Sequence, residues 1–249
     1  MGLEIEFKNL SGYPIGQSNW KQASYTMMKC KSFLGSSVGQ KFLVAITGLG
    51  LSGFVLTHML GNLLLFVGPN AYNLYGHKLT STPLIYVAEV GLIVLFLTHL
   101  GLTMKLTREN RASRPLAPHQ LPSNVVKRAS FASRTMALSG LMILAFAVLH
   151  LVTFKFGTYY ETTVDGVPMR DLYRLVAEEF QKEWYTAFYL VCMVILFTHL
   201  SHGFTAAFQS LGLQSSRNKL LKRAGLAFAV LVGGGFFIQP LYMYFWGGN

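Results

Sequence analysis

Residues 191–203, Val191-Cys192-Met193-Val194-Ile195-Leu196-Phe197-Thr198-His199-Leu200-Ser201-His202-Gly203, decide the fold. They lie in a stretch from Tyr185 to Leu211 that holds no Asp, Glu, Lys or Arg. At about 1.5 Å of rise per residue, a helix of that length crosses the hydrocarbon core of a bilayer. A helix also satisfies its own backbone polar groups, which lipid cannot do. An imidazole inside such a helix must find a partner within the protein or lose free energy to the hydrocarbon. Single histidines also occur in three other apolar stretches, at His58, His99 and His150.

Composition points the same way. Of 249 residues, 52% are hydrophobic and only 12% are charged, a balance suited to a helical membrane protein. The 24 glycines fit closely packed membrane helices. A formal net charge of +11 suggests nucleic acid at first, but the cations lie between apolar spans rather than along one basic face. No nucleic-acid partner is expected. Cys30 and Cys192 form no CxxC or CxxCH pattern, which excludes a zinc ribbon, a Cys-ligated cluster and covalently attached haem.

Working outward, five spans are expected, at about 42–67, 83–104, 135–156, 185–211 and 224–246, making residues 38–249 one all-α membrane domain. Residues 1–37 read as a polar tail without the apolar core of a signal peptide, with an interfacial helix possible over Trp20–Phe33. Gly48-Leu49-Gly50-Leu51-Ser52-Gly53 formally matches a dinucleotide fingerprint, but no strand precedes it, so that reading fails. Small residues such as Gly53 and Gly140 would instead let a helix or a flat macrocycle approach the backbone. Residues 70–82 read as a short polar loop. Residues 157–183 read as a longer one carrying an amphipathic helix over Asp171–Phe180. Pro240 and its aromatic neighbours mark the interfacial end of the last span.

Charge orients these spans. The tail together with Lys41, the loop from Lys105 to Arg134 and the segment from Arg217 to Arg223 hold sixteen of the 21 Lys and Arg residues. The expectation is a cytoplasmic N-terminus and an external C-terminus. Counting residues along alternately directed helices then places His58 and His150 in the outer half, and His99 and His199 in the inner half. Two imidazoles from different helices, facing one another, are what a bis-histidine haem b requires. Two haems b are therefore expected, one held by His58 and His150 and one by His99 and His199. His202 shares a helical face with His199 and is expected to hydrogen-bond a propionate or a quinone. Gln40, Lys41, Lys105 and Arg134 are candidates to meet the inner propionates. Glu89 is the sole carboxylate inside an expected span and is the candidate quinone residue.

The chain also resembles a known family. The residues carrying the likeness are His58-Met59-Leu60-Gly61-Asn62 and Gly68-Pro69-Asn70-Ala71-Tyr72-Asn73 after the first span. Asn110-Arg111 with Arg114-Pro115 and Ser133-Arg134-Thr135-Met136 with Ser139-Gly140 follow, then His199-Leu200-Ser201-His202-Gly203 with Gln209-Ser210-Leu211-Gly212. In this order they are similar to the five-helix, two-haem cytochrome b anchor subunit of succinate:quinone and quinol:fumarate oxidoreductases, respiratory complex II. The resemblance implies axial ligation by His58, His99, His150 and His199. It also implies a flavoprotein partner with covalent FAD, an iron–sulfur partner, and menaquinone or another quinone in a prokaryotic cytoplasmic membrane. The acidic residue that some members carry beside the span IV ligand is missing, since Phe197 and Thr198 precede His199. Two other readings stay open: the cytochrome b subunit of a formate dehydrogenase or hydrogenase, and a haem-free helical membrane protein.

Overall fold

The computed structural model describes residues 35–113, 131–213 and 219–247, with side chains in the middle segment from 135 onward. The proposed tail helix, Arg114, Arg217 and the side chain of Arg134 lie outside the described residues. Seven α-helices are described: α1 (Ser37–Asn62), α2 (Pro69–Thr80), α3 (Leu84–Ala112), α4 (Phe131–His150), α5 (Leu172–Phe180), α6 (Glu183–Ser210) and α7 (Lys219–Trp246). A 3-10 turn, Leu63–Phe66, extends α1, and a π turn, Leu151–Lys155, extends α4. The hairpin β1 (Glu161–Val164) and β2 (Val167–Arg170) precedes α5. Five of the helical segments are long and apolar enough to cross a membrane, which makes this a multi-pass helical membrane protein in its architecture.

Local sequence accounts for the helix ends. Ser36 Oγ accepts from the Gly39 amide at 3.1 Å and starts α1. Asp171 does the same for α5, accepting from the Arg174 amide at 3.1 Å. Helix α2 replaces the expected polar loop over residues 70–82. Its composition reads as loop, but Gly68 takes φ 126°, a conformation open to glycine, and Pro69 supplies the preset φ of a first helical residue. Tertiary contacts then hold it, because Tyr72 and Asn73 are buried. The hairpin is a second departure from the expected loop. Asp165-Gly166, both with positive φ, make its two-residue turn.

Helix α7 runs through Pro240 to Trp246, the expected end of the last span. The neighbouring Gln239 is buried and sends its amide to the Met59 carbonyl of α1 at 3.3 Å, anchoring the helix where the proline removes a backbone donor. Helices α6 and α7 pack together along their length, α4 packs on α6, and α3 leans chiefly on α1. None of α3's most apolar window is buried within the chain. At one end of the bundle, α2, the hairpin and α5 form a cap over the core of Leu65, Tyr72, Val176, Phe180, Tyr185 and Tyr189. Below, this is called the hairpin end.

Candidate functional site

The close approaches between helices fix their directions. Gly48 of α1 faces His99 of α3 while Gly50 faces Leu95, so α1 and α3 are antiparallel. Gly140 of α4 faces His199 of α6 while Gly203 faces Met136, so α4 and α6 are antiparallel too. The histidines meet at two levels. His58 of α1 and His150 at the end of α4 have ring centroids 5.7 Å apart and perpendicular planes, at 89°. His99 lies against Gly48 of α1 and His199 against Gly140 of α4. Gly48, which touches His99, precedes His58 by ten residues, or about 15 Å of helix rise between the levels. Gly140, which touches His199, precedes His150 by the same ten residues.

The His99–His199 level is built by a repeated device. Thr47 Oγ1 lies 3.1 Å from His99 Nδ1, and Ser139 Oγ lies 3.0 Å from His199 Nδ1. Each hydroxyl has a single proton, and each gives it to its own helix. Thr47 donates to the Leu43 carbonyl at 2.8 Å, and Ser139 to the Met136 carbonyl at 3.0 Å. Their oxygens therefore meet the imidazoles as acceptors, so Nδ1 carries the hydrogen and Nε2 keeps its lone pair. The next residue in each case is glycine, which lets the ring lie against the backbone. A Cβ at Gly48 would come within 3.0 Å of His99 Cε1, and one at Gly140 within 3.6 Å of His199 Cε1.

The His58–His150 level is held differently. Asn62 Nδ2 donates to the His58 carbonyl at 2.9 Å and lies 3.3 Å from His58 Nε2. Tyr72 donates to Asn62 Oδ1 at 2.8 Å, which turns the amide nitrogen toward His58 Nε2; that contact uses the Nε2 lone pair and has to give way for a metal to bind there. His150 Nδ1 lies 3.1 Å from Tyr189 Oη, which also accepts from Tyr185 Oη at 3.1 Å. Phe54 stacks on His58, with centroids 5.5 Å apart and planes at 10°, and Phe236 lies alongside.

These residues fit a bis-imidazole metal centre. Imidazole–metal bonds of about 2 Å put facing ring centroids roughly 6.4 Å apart, and 5.7 Å is within about 1 Å of that spacing. Nδ1-protonated imidazoles anchored by oxygen acceptors are the usual setting of ligand histidines. Nothing stands within 4 Å of a Cβ built on Gly53, so that stretch of α1 is open. Among the described residues no three His, Cys, Asp or Glu side chains form a metal-binding group.

The other candidates divide. Glu89 of α3 forms an ion pair with Lys155 of the π turn, each partner more than a third exposed. His202 lies close enough to His199 for their charges to interact. Gln40 donates its amide to the Gly35 carbonyl at 3.3 Å, leaving its Oε1 buried without a hydrogen bond among the described residues. That orphan is an acceptor, so as it lies it offers nothing to a carboxylate. Lys41 is exposed, and Lys105 lies 3.8 Å from Glu109 on its own helix. Thr47, Ser139, Tyr185 and Tyr189 are absent from the sequence-derived set. A hydroxyl–glycine pair ten residues before a histidine, present as Thr47-Gly48 and again as Ser139-Gly140, was the available signal. No protein-family model, curated protein or solved structure matches the chain.

Proposed function

We propose that this chain is the dihaem cytochrome b anchor subunit of a succinate:quinone or quinol:fumarate oxidoreductase. The single observation that carries the haem reading is the placement of four histidines, one from each of four membrane helices, at two levels about 15 Å apart along α1, with His58 and His150 in ring contact. The choice of enzyme rests on the sequence resemblance alone. Bound haem supplies a one-electron carrier at each level. His58 and His150 hold one, and His99 and His199 the other. Thr47 and Ser139 present the lone-pair nitrogens of His99 and His199. The apolar lining of Phe54, Phe146 and Phe236 keeps water from the His58–His150 level.

In this reading the hairpin end faces outward and the basic loops face the cytoplasm of a prokaryote. There they meet lipid headgroups and the iron–sulfur subunit, which stands beside a flavoprotein with covalent FAD. Glu89 and Lys155 offer a carboxylate and an ammonium at one membrane depth, the ammonium to donate to a ring oxygen of menaquinone or a similar quinone and the carboxylate to accept from the hydroxyl of its quinol.

The test is a redox-titrated spectrum of the purified complex, with succinate-dependent quinone reduction measured alongside. Two haems b and a covalently flavinylated partner are expected. A molybdenum- or nickel-containing partner would assign the chain to another oxidoreductase, and the lack of a Soret band would end the haem reading. Glu89→Gln is expected to lower quinone turnover at least several-fold while leaving both haem spectra intact.

A further inference from the structure

Resting on the haem reading above, we infer that Thr47 and Ser139 are positioning residues that set the redox potential of the His99–His199 level, both in the same direction. Thr47 and Ser139 are buried, at 6% and 8% exposed. Thr47 Oγ1 is 3.1 Å from His99 Nδ1, and Ser139 Oγ is 3.0 Å from His199 Nδ1. The proton count closes at both contacts. The Thr47 proton lies between the Leu43 carbonyl at 2.8 Å and the Val44 carbonyl at 3.2 Å. The Ser139 proton goes to the Met136 carbonyl at 3.0 Å. When Nε2 of each ring is the ligand, the one ring hydrogen sits on Nδ1 and has the hydroxyl oxygen as its acceptor. No donor is left without a partner.

A hydroxyl that donates to a carbonyl is the stronger acceptor for it, because bonds in a chain polarise one another. An imidazole whose N–H is drawn on in this way becomes a more basic ligand. A more basic axial ligand favours the oxidised metal and lowers its one-electron midpoint potential. The hydrogen stays on Nδ1 in both oxidation states, so no proton has to enter or leave. Thr47 and Ser139 act on the two ligands of one metal, so their effects share a sign and add. His58 and His150 are met instead by an amide and a phenol, which confines the effect to one level.

Ser52 provides the comparison. It is another buried hydroxyl of α1 that donates to its own helix, to the Gly48 carbonyl at 2.8 Å, and it bonds no histidine ring among the described residues. The experiment is a spectroscopic redox titration of the whole complex, with the midpoint of this level identified as the one lost in His99→Ala. Thr47→Val and Ser139→Ala are each expected to shift that midpoint upward, and the double variant further than either. Thr47→Ser, which keeps the hydroxyl, and Ser52→Ala are expected to hold the wild-type value, and the other midpoint to stay in place throughout. A downward shift or none, a shift with Thr47→Ser or Ser52→Ala as large as that with Thr47→Val, an equal shift at both levels, or Thr47→Val and Ser139→Ala acting on different midpoints would overturn the inference while leaving haem b in the complex. If either substitution empties the level, Thr47→Cys or Ser139→Cys, of similar size and a weaker acceptor, is titrated in its place: an upward shift supports the inference, and any other result, loss of the haem included, overturns it. A wild-type complex without haem b would instead defeat the functional reading itself.

Discussion

The two histidine levels share one scaffold but are stabilised by different kinds of neighbour. At the His99–His199 level each imidazole is held by an aliphatic hydroxyl tied to its own helix, so the support is local and complete within two helices. At the His58–His150 level the support is long-range. It runs from His58 through Asn62 to Tyr72 of α2, and from His150 through Tyr189 to Tyr185 under the cap. A bundle can therefore preset one ligand pair by helix sequence alone, and couple the other to a surface domain. Disturbing the cap should reach only the second.

The largest expected effect breaks the comparison if it fails. His99→Ala or His58→Ala each reduces the haem content of the purified complex from two to one, measured by the pyridine haemochrome spectrum, and each removes a different α-band component. Loss of both haems from either change would mean that the levels are not independent. Next, Gly48→Val drives a side chain into His99, whose Cε1 already stands 3.0 Å from a Cβ at that position, and should empty the His99–His199 level. Gly91→Ala on α3, facing open space away from the histidines, is the control and should keep both haems.

A smaller effect sharpens the contrast. Thr47→Val removes the acceptor for His99 at nearly constant volume, so haem affinity at that level should fall by about 10–100-fold in competition with apomyoglobin. The His58–His150 level should be unaltered. Asn73→Ala probes the cap. Buried Asn73 donates to Asp171 at 2.8 Å and accepts from the Tyr173 amide at 2.9 Å. Its loss should cost about 1–3 kcal/mol locally, seen as faster hydrogen exchange over 161–180, and should disturb the His58–His150 spectrum alone.

The smallest effect is a pH dependence of the cap. Tyr160 donates to Glu178 at 2.5 Å and Arg174 donates to it at 2.8 Å. Together they hold the Glu178 carboxyl below its ordinary value. A depressed carboxyl contributes stability above its unfolded value, and that contribution is lost as pH falls through the folded one. Hydrogen exchange in α5 should therefore rise only in acid below the usual carboxylate range, and Glu178→Gln should abolish that rise.

Much of this was legible in the sequence because the signals are strong and one-dimensional. Charge-free apolar runs mark the five spans, and counting residues along alternately directed helices pairs His58 with His150 and His99 with His199. Helix α2 was not legible, since Asn70, Tyr72, Asn73 and His77 carry no apolar period and the helix depends on burial of two of them against the cap. The hairpin was signalled by Asp165-Gly166 between Thr162-Thr163-Val164 and Val167, a turn signature easily passed over in a polar stretch. The anchors of the imidazoles were hidden for another reason. Ser and Thr in membrane helices usually bond only their own backbone, and only the glycine that follows each distinguishes Thr47 and Ser139, which do that and also face a neighbouring ring.

The π turn at Leu151–Lys155 has a consequence for counting. It accommodates one residue more than a regular turn would, directly after His150. Each residue added or removed there rotates everything downstream by about 100°. Lys155 reaches Glu89 because of that surplus residue, and Arg170, which donates to the Lys155 carbonyl, closes the turn from the hairpin. Deleting a single residue from 152–154 should leave His150 facing His58 yet carry the ammonium off to another side of the helix, turning helical phase into the variable that separates iron ligation from quinone chemistry.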